Sequence, residues 1–321
     1  MKRIISIWLA LASLIFAQNY VEIYRNYGIN KIKKIFDKKL QQKSYWENYL
    51  KDYNTTFGYY EKAKYLIIAN KSNKILNLYY TNGKGNIKKL FTKAIITGKS
   101  GEKKKEGDLV TPVGAYRITL RFKPQNSFYG PVAFSLSYPN TFDKLQGRDG
   151  HGIWIHGYPL DHEKRPSMTK GCMVLKNDQL LDLNSTIDPQ NCYVIIYEKA
   201  LKPIKKDTIA SILSFIYSWK YTWQYNKINK YLSFYAKEFK RFNGENLEAF
   251  SREKRIIFSR NENKKIVFKN IMILPYPNLA EIDMYKILFY EKYATKHYKF
   301  NGDKEIYIKI KNNQIKIIVE K

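Results

Sequence analysis
Cysteine is almost missing from this chain: Cys172 and Cys192 are the only two among 321 residues. Two thiols cannot staple a disulfide scaffold. Histidine is nearly as scarce, with four in all. His151, His156, His162 and Cys172 stand 5, 6 and 10 residues apart, which lacks the two-residue or helical four-residue spacing of zinc ligands. No metal or other cofactor is therefore expected. Acidic residues are outnumbered, 28 against 57 Lys and Arg, for a net charge of +29. A nucleic-acid face would gather that excess into one stripe. Here residues 201–321 carry 25 basic against 12 acidic groups and residues 1–200 carry 32 against 16, so the charge is spread along the chain. Spread positive charge argues against a nucleic-acid partner and favours peripheral attraction to anionic surfaces such as envelope polymers.

Long apolar runs are absent beyond the N-terminus. Lys2-Arg3, the run from Ile4 to Phe16 and Ala17-Gln18 read as a signal peptide over residues 1–17. The run falls short of the about 20 apolar residues that span a bilayer. An uncleaved anchor is the alternative; export to the periplasm is the expectation. A phosphate loop is excluded too. Gly98-Lys99-Ser100 lacks the glycine that a Walker motif places five residues earlier, where Lys93 stands.

What is present divides the chain into four. After the signal, Ile29, Ile32, Ile35/Phe36, Leu40 and Leu50 recur at helical spacing among lysines, predicting an amphipathic helix over 28–52. Its apolar face would dock on this subunit or another, within a helical association segment over 18–60. From Tyr65 the period becomes two. Tyr65–Ala69, Ile75–Tyr80, Leu90–Thr97, Ala115–Arg121, Val132–Leu136 and Val194–Tyr197 predict strands, with Asn82-Gly83 as a hairpin turn. A short helix capped by Asn177 is expected over 177–183. The region 61–200 thus reads as a mainly β sandwich or barrel.

Within it, Gly152-Ile-Trp-Ile-His156-Gly157 ends a strand on glycine, and Thr169-Lys170-Gly171-Cys172-Met-Val-Leu175 resumes one. The polar loop between them is long enough to return, so two strand ends could set an imidazole beside a thiol. A cysteine nucleophile needs that arrangement, with a base close to an accessible sulfur. Gly171 would let backbone N–H groups, that of Cys172 included, face a developing oxyanion. Asp161, or a backbone carbonyl near Gly157 or Lys170, could orient the imidazole. Cys192, in the apolar Asn191–Tyr197 run, reads as buried structure.

His-Gly, a loop and Thr-x-Gly-Cys resemble the signature of the YkuD-type L,D-transpeptidase catalytic domain. Thr111-Pro112-Val-Gly114-Ala-Tyr116 and Ile96-Thr-Gly98-Lys99 are similar to its upstream segments, in the right order over roughly residues 65–198. The resemblance implies an enzyme acting on peptidoglycan stem peptides, cutting the bond from an L-centre to D-alanine in a tetrapeptide. Catalysis would use Cys172, His156 and Gly171, and substrate contacts would come from Thr169, Lys170, Tyr158, Arg165 and Gly157. The resemblance favours a backbone carbonyl behind the histidine. Val174 departs from the arginine that many members carry there, so that residue's carboxylate contact is not carried over.

Residues 201–321 predict helices first: a pair over 208–239 and one over 247–257. Strands follow at Lys265–Leu274, Met284–Tyr293, His297–Phe300 with Glu305–Ile310, and Gln314–Val319, with Asn312-Asn313 as the last turn. This α+β cone resembles the nuclear-transport-factor-type domain that follows some exported YkuD-type domains. The layout implies a cell-shape L,D-carboxypeptidase. An L,D-transpeptidase and a non-catalytic envelope scaffold are the alternatives. It also implies a homodimer through the N-terminal helical segment.

Overall fold
The structure, a computed structural model, describes residues 19–161 and 166–321. The expected signal segment at residues 1–17 lies outside the described residues. The lysine-rich amphipathic region forms a helical stretch over residues 19–27 (α1), then α2 (Ile29–Lys39) and α3 (Lys43–Tyr49). The long helix expected over 28–52 is broken at Leu40–Gln42, where Trp46 Nε1 donates to the Leu40 carbonyl at 2.8 Å.

Alternating residues build the first sheet. Its strands are β2 (Lys64–Asn70), β3 (Ile75–Thr81), β4 (Ile87–Ala94), β5 (Gly114–Phe122), β6 (Ala133–Leu136), β7 (Trp154–His156), β8 (Met173–Val174) and β9 (Cys192–Tyr197). They follow the two-residue strand β1 (Tyr59–Tyr60), which belongs elsewhere. The spatial order is β4-β3-β2-β9-β5-β6-β7-β8, with β2–β9 and β7–β8 parallel. One face of this sheet packs Ile67, Tyr116, Phe134, Ile155, Met173 and Val194 with Leu180 and Leu183 of α5 (Asn177–Thr186). The helix α4 (Thr141–Leu145) sits between β6 and β7, closed by a capping box of Asn140 and Asp143.

The second sheet has order β1-β11-β12-β13-β14-β10. It contains β10 (Tyr235–Arg241), β11 (Lys265–Pro275), β12 (Asp283–Ala294), β13 (Lys299–Lys311) and β14 (Gln314–Glu320). Its concave face is filled by α6 (Lys206–Gln224), α7 (Ile228–Leu232) and α8 (Leu247–Ser259), through Trp219, Tyr231, Phe250 and Phe258. Position in sequence and position in space part company here. Trp46, Leu50 and Tyr59 precede the first sheet yet join this second core, and Tyr59 and Tyr60 pair with Ile273 and Met272 of β11.

Three local expectations are corrected. Tyr235–Arg241 is a strand and not the end of a helix pair; it lies parallel to β14. Apolar residues at 232, 235 and 239 fit either period, and the Tyr235 hydroxyl, donating to buried Glu320 at 2.6 Å, fixes the extended form. The two short runs at 297–310 are one strand, since Gly302 leaves room over which the Phe300 ring lies. Asn177 is not the cap of α5, which begins after Lys176; its side chain has another partner.

The convex face of the second sheet meets the other face of the first. Leu66, Ile68, Ala115 and Ile195 pack there against Met272, Leu274, Tyr276, Met284 and Tyr307. The sandwich-like β unit, the N-terminal helices and the α+β cone expected from sequence are thus all present. Among the described residues no helix is long and apolar enough to cross a membrane.

Candidate active site
The parallel pairing of β7 with β8 sets the site. Ile155 lies opposite Met173 and His156 opposite Val174, so the next position back sets Cys172 beside Trp154. Ile155 and Met173 point into the core, and the alternation of side chains turns Trp154, His156 and Cys172 to the opposite face. Val174 is gripped from its far side by Ile96, each N–H donating to the other's carbonyl at 2.9 Å. The cysteine therefore enters a three-strand seam whose register cannot slip by one residue without reversing every side chain.

Cys172 is partly exposed and is not bridged to Cys192. Its Sγ lies 3.4 Å from the Trp154 amide nitrogen and 3.4 Å from the Gly152 carbonyl oxygen. Cys192 is also free but fully buried, and burial pushes its thiol far above the ordinary range. An uncharged, enclosed thiol of that kind is chemically inert.

His156 is 1% exposed. Its Nδ1 is 2.9 Å from the Gly157 carbonyl oxygen. A carbonyl only accepts, so Nδ1 carries a proton, and in the neutral ring the lone pair then lies on Nε2. The edge of the Tyr129 ring packs on the imidazole, with centroids 5.0 Å apart and planes at 80°. Of the groups open at the sequence level, the backbone carbonyl of Gly157 holds the ring, while Asp161 accepts from Ser127 Oγ at 2.9 Å.

Thr169 is buried and committed to the turn. Its Oγ1 accepts from the Gly171 amide at 3.1 Å and donates to the Cys172 carbonyl at 2.7 Å. Of the amides around the turn, that of Gly171 is thereby engaged within the protein. Gly171 has φ +121°, where a side chain is strained, and a Cβ there would lie 3.0 Å from the Val110 carbonyl. Gly157 is required by contact instead: a Cβ would fall 2.2 Å from Asn177 Oδ1. Tyr158 is half-buried and its amide donates to that same Oδ1 at 2.8 Å. Lys170 stands exposed beside the cysteine. Arg165 and His162 lie outside the described residues.

The Thr-Pro segment supports the seam from below. Thr111 Oγ1 accepts from the Gly98 amide at 2.8 Å, and Gly98 packs directly on Gly171. Lys71, almost wholly buried, donates to the carbonyls of Gly101 and Thr111, each at 2.7 Å, and pairs with Glu198 at 3.1 Å. Burial lowers its pKa, and the hydrogen bond and charge of Glu198 oppose that shift. At Asp108, burial acts to raise the pKa, yet hydrogen bonds from Lys103 and from the amides of Val110, Lys104 and Lys105 bring it down to about 2. Sequence reading missed Tyr129, Asn177 and Lys71. Their only signals were a Tyr-Gly-Pro turn, a residue mistaken for a cap and a lysine at a strand end.

Comparison with known proteins agrees with this geometry. Residues 64–196 match the model of the L,D-transpeptidase catalytic domain, YkuD, and residues 211–321 that of the Cds6 C-terminal NTF2-like domain. The solved structure of the helical cell shape determining protein Pgp2 from Campylobacter jejuni is similar at 44% identity and TM-score 0.83, covering 88% of this chain and 100% of that one. Bd1075 of Bdellovibrio bacteriovorus is similar at 28% identity and TM-score 0.67, over 84% of this chain and 96% of its own. A 62-residue stretch is 32% identical to Escherichia coli YafK, provisionally named an L,D-transpeptidase; it covers 19% of this chain and 24% of that relative. The chain thus spans about a quarter of the length of the curated relative.

Proposed function
This chain belongs to the L,D-transpeptidase family, with a YkuD catalytic domain and a C-terminal NTF2-like domain, and from that premise we propose that it is an L,D-carboxypeptidase of the cell envelope. Its substrate is the tetrapeptide stem of peptidoglycan, trimmed to the tripeptide in the periplasm after export. The observation that carries this is the parallel register of β7 and β8, which sets Cys172 and His156 on one face with the Nδ1 proton of His156 directed to Gly157.

In this reading His156 Nε2 takes the thiol proton, and the Cys172 thiolate attacks the carbonyl carbon preceding D-alanine. The backbone amide of Cys172 steadies the oxyanion, a contribution of about 10²–10³ in rate for such a donor. The C–N bond breaks, the imidazolium proton passes to the departing amine, and a thioester remains on Cys172. Water then gives its proton to His156 and attacks the thioester, which releases the tripeptide acid and restores the thiol. The amine of a second stem in place of water would make a cross-link. Lys170 and Arg165 precede the cysteine in sequence and would meet the acidic stem, with Tyr158 and Gly157 forming the wall beyond His156.

Trimming is favoured by the layout, a helical segment before the catalytic domain and an NTF2-like domain after it, and similarity over nearly the whole chain to a helical cell shape determining protein supports a role in cell shape. Self-association through residues 19–36 is supported by exposed Val21, Tyr24, Tyr27, Ile29 and Phe36; sedimentation as a monomer at micromolar concentration would remove it. The deciding experiment is incubation with purified tetrapeptide muropeptides followed by mass analysis. Tripeptide is the expected product, absent with Cys172→Ala. A cross-linked dimer would make the chain a transpeptidase. No change would leave the envelope scaffold, and an active Cys172→Ala protein would end the assignment of Cys172 as nucleophile.

A further inference from the structure
The face of the first sheet that carries Cys172 does not end at the catalytic seam. Ser135 lies opposite Trp154, and one pleat further, just past the end of β6, is Ser137, whose hydroxyl accepts from the Arg117 amide at 3.0 Å. Arg117 in turn lies opposite Tyr193 of β9, and the next pair along, Tyr116 and Val194, points to the core side. Arg117, Ser137 and Tyr193 therefore share the face of Trp154, His156 and Cys172. Farther across, Ala115 and Ile195 on this same face are covered by the C-terminal sheet.

At the margin where that cover begins lies a cleft of about 890 Å³, between the two sheets. In a chain carrying +29 a basic cleft alone decides little. What singles this one out is how its charges are used. Glu305 is neutralised by Lys286 at 3.2 Å, and Glu61 accepts from the Ile271 amide at 2.8 Å and the Tyr59 hydroxyl at 3.3 Å. Asp303 also lines the cleft. Lys62, Lys64, Arg117 and Lys144 line it as well, and among the described residues none of the four has a carboxylate within salt-bridge distance. Burial, and then the charge of Lys62, pushes Lys64 below its ordinary pKa, with Asp188 opposing. An anion in the cleft would relieve that conflict.

We propose that this interdomain cleft is a second binding site for peptidoglycan, holding the carboxylates of a stem next to the one being cut. The inference rests on the proposed function for the identity of the polymer. Two strand spacings across and one pleat along separate Ser137 from Cys172, roughly 12 Å. An extended peptide of four residues spans roughly 13 Å, so one stem reaches the sulfur while its backbone strand lies over the cleft. Cations spaced along such a path act on association and its salt dependence more than on the chemical step.

The test is co-sedimentation of the full chain with purified sacculi, in a Cys172→Ala background so that no turnover is needed. Reversing Arg117 and Lys144 together (Arg117→Glu, Lys144→Glu) should weaken binding about tenfold at low ionic strength and flatten its salt dependence. Reversing exposed Lys88 and Lys89 on the far edge strand makes the same change in net charge and should leave binding within about twofold. Equal losses in both variants, or none in the first, would overturn the site. Failure of the wild-type chain to trim free tetrapeptide is a separate result: it removes the enzyme reading, while the sacculus measurement still decides the cleft.

Discussion
At the residue scale, the glycine after His156 is fixed by space and not by backbone freedom. Its missing Cβ is the room that Asn177 Oδ1 occupies while it accepts the Tyr158 amide. Gly157→Ala must displace that oxygen, and with it the carbonyl that holds His156. We expect turnover to fall at least about 100-fold, because a displacement of about 1 Å in a reacting group is enough for such a loss. Circular dichroism should still report a folded chain, and retained activity would contradict the geometry. Glu291 allows a different test. Burial pushes its carboxyl up to about 7, against the pull of Lys304 and Lys254, and its Oε2 has no hydrogen-bond partner among the described residues. A raised carboxyl pKa means that the folded chain holds a proton the unfolded chain has released. Stability attributable to Glu291 is therefore full below the ordinary glutamate range and declines as pH rises to about 7. Glu291→Gln should match the wild type at pH about 4 and gain on it up to pH about 7, by on the order of 3 kcal/mol, in parallel urea melts. A pH-independent difference would refute the assignment.

Elements show where sequence patterns were sufficient and where they were not. Strands of the first sheet such as β3 were legible because they alternate against one core, β2 and β9 because they are short apolar runs, and the His-Gly and Gly-Cys ends because glycine marks both turns. Asn312 and Asn313, with φ of 49° and 59°, form the turn that their left-handed preference indicates. Tyr235–Arg241 was not legible: its apolar spacing fits both periods, and its partner β14 lies far along the chain. Asn177 was misread because an asparagine at a helix start caps more often than it reaches across to another loop. The association of α3 with α6 was open, since amphipathicity gives a face and not its partner. Trp46 supplies the contact, stacked on Tyr217 with ring centroids 5.2 Å apart. Trp46→Ala should destabilise the fold by about 3–5 kcal/mol, the usual range for emptying a buried aromatic site. Thermal melts would read it, and an unchanged midpoint would show that the N-terminal helices contribute nothing to this core.

For the whole molecule, the decisive feature is the apolar layer between the two sheets. Leu66, Ile68 and Ile195 belong to the catalytic sheet, yet their cover comes from Met272, Leu274, Met284 and Tyr307. A chain ending at Ala200 would leave that layer open to water, a patch of the kind that drives aggregation. We expect it to be insoluble or to bind a hydrophobic dye strongly; a soluble fragment with a cooperative melt would show that the catalytic unit stands alone. Nothing in the sequence announced this dependence, because both faces of a buried strand read as one continuous apolar run.

The pairing of Tyr59 and Tyr60 with Ile273 and Met272 has a consequence for the order of assembly. A ribosome delivers the aromatic residues of the early segment long before the edge they complete exists. Until β11 emerges, Trp46 and Tyr59 have nowhere to go, so stalled or clipped nascent chains expose them. Topologically, the catalytic sheet is a passenger threaded into its neighbour.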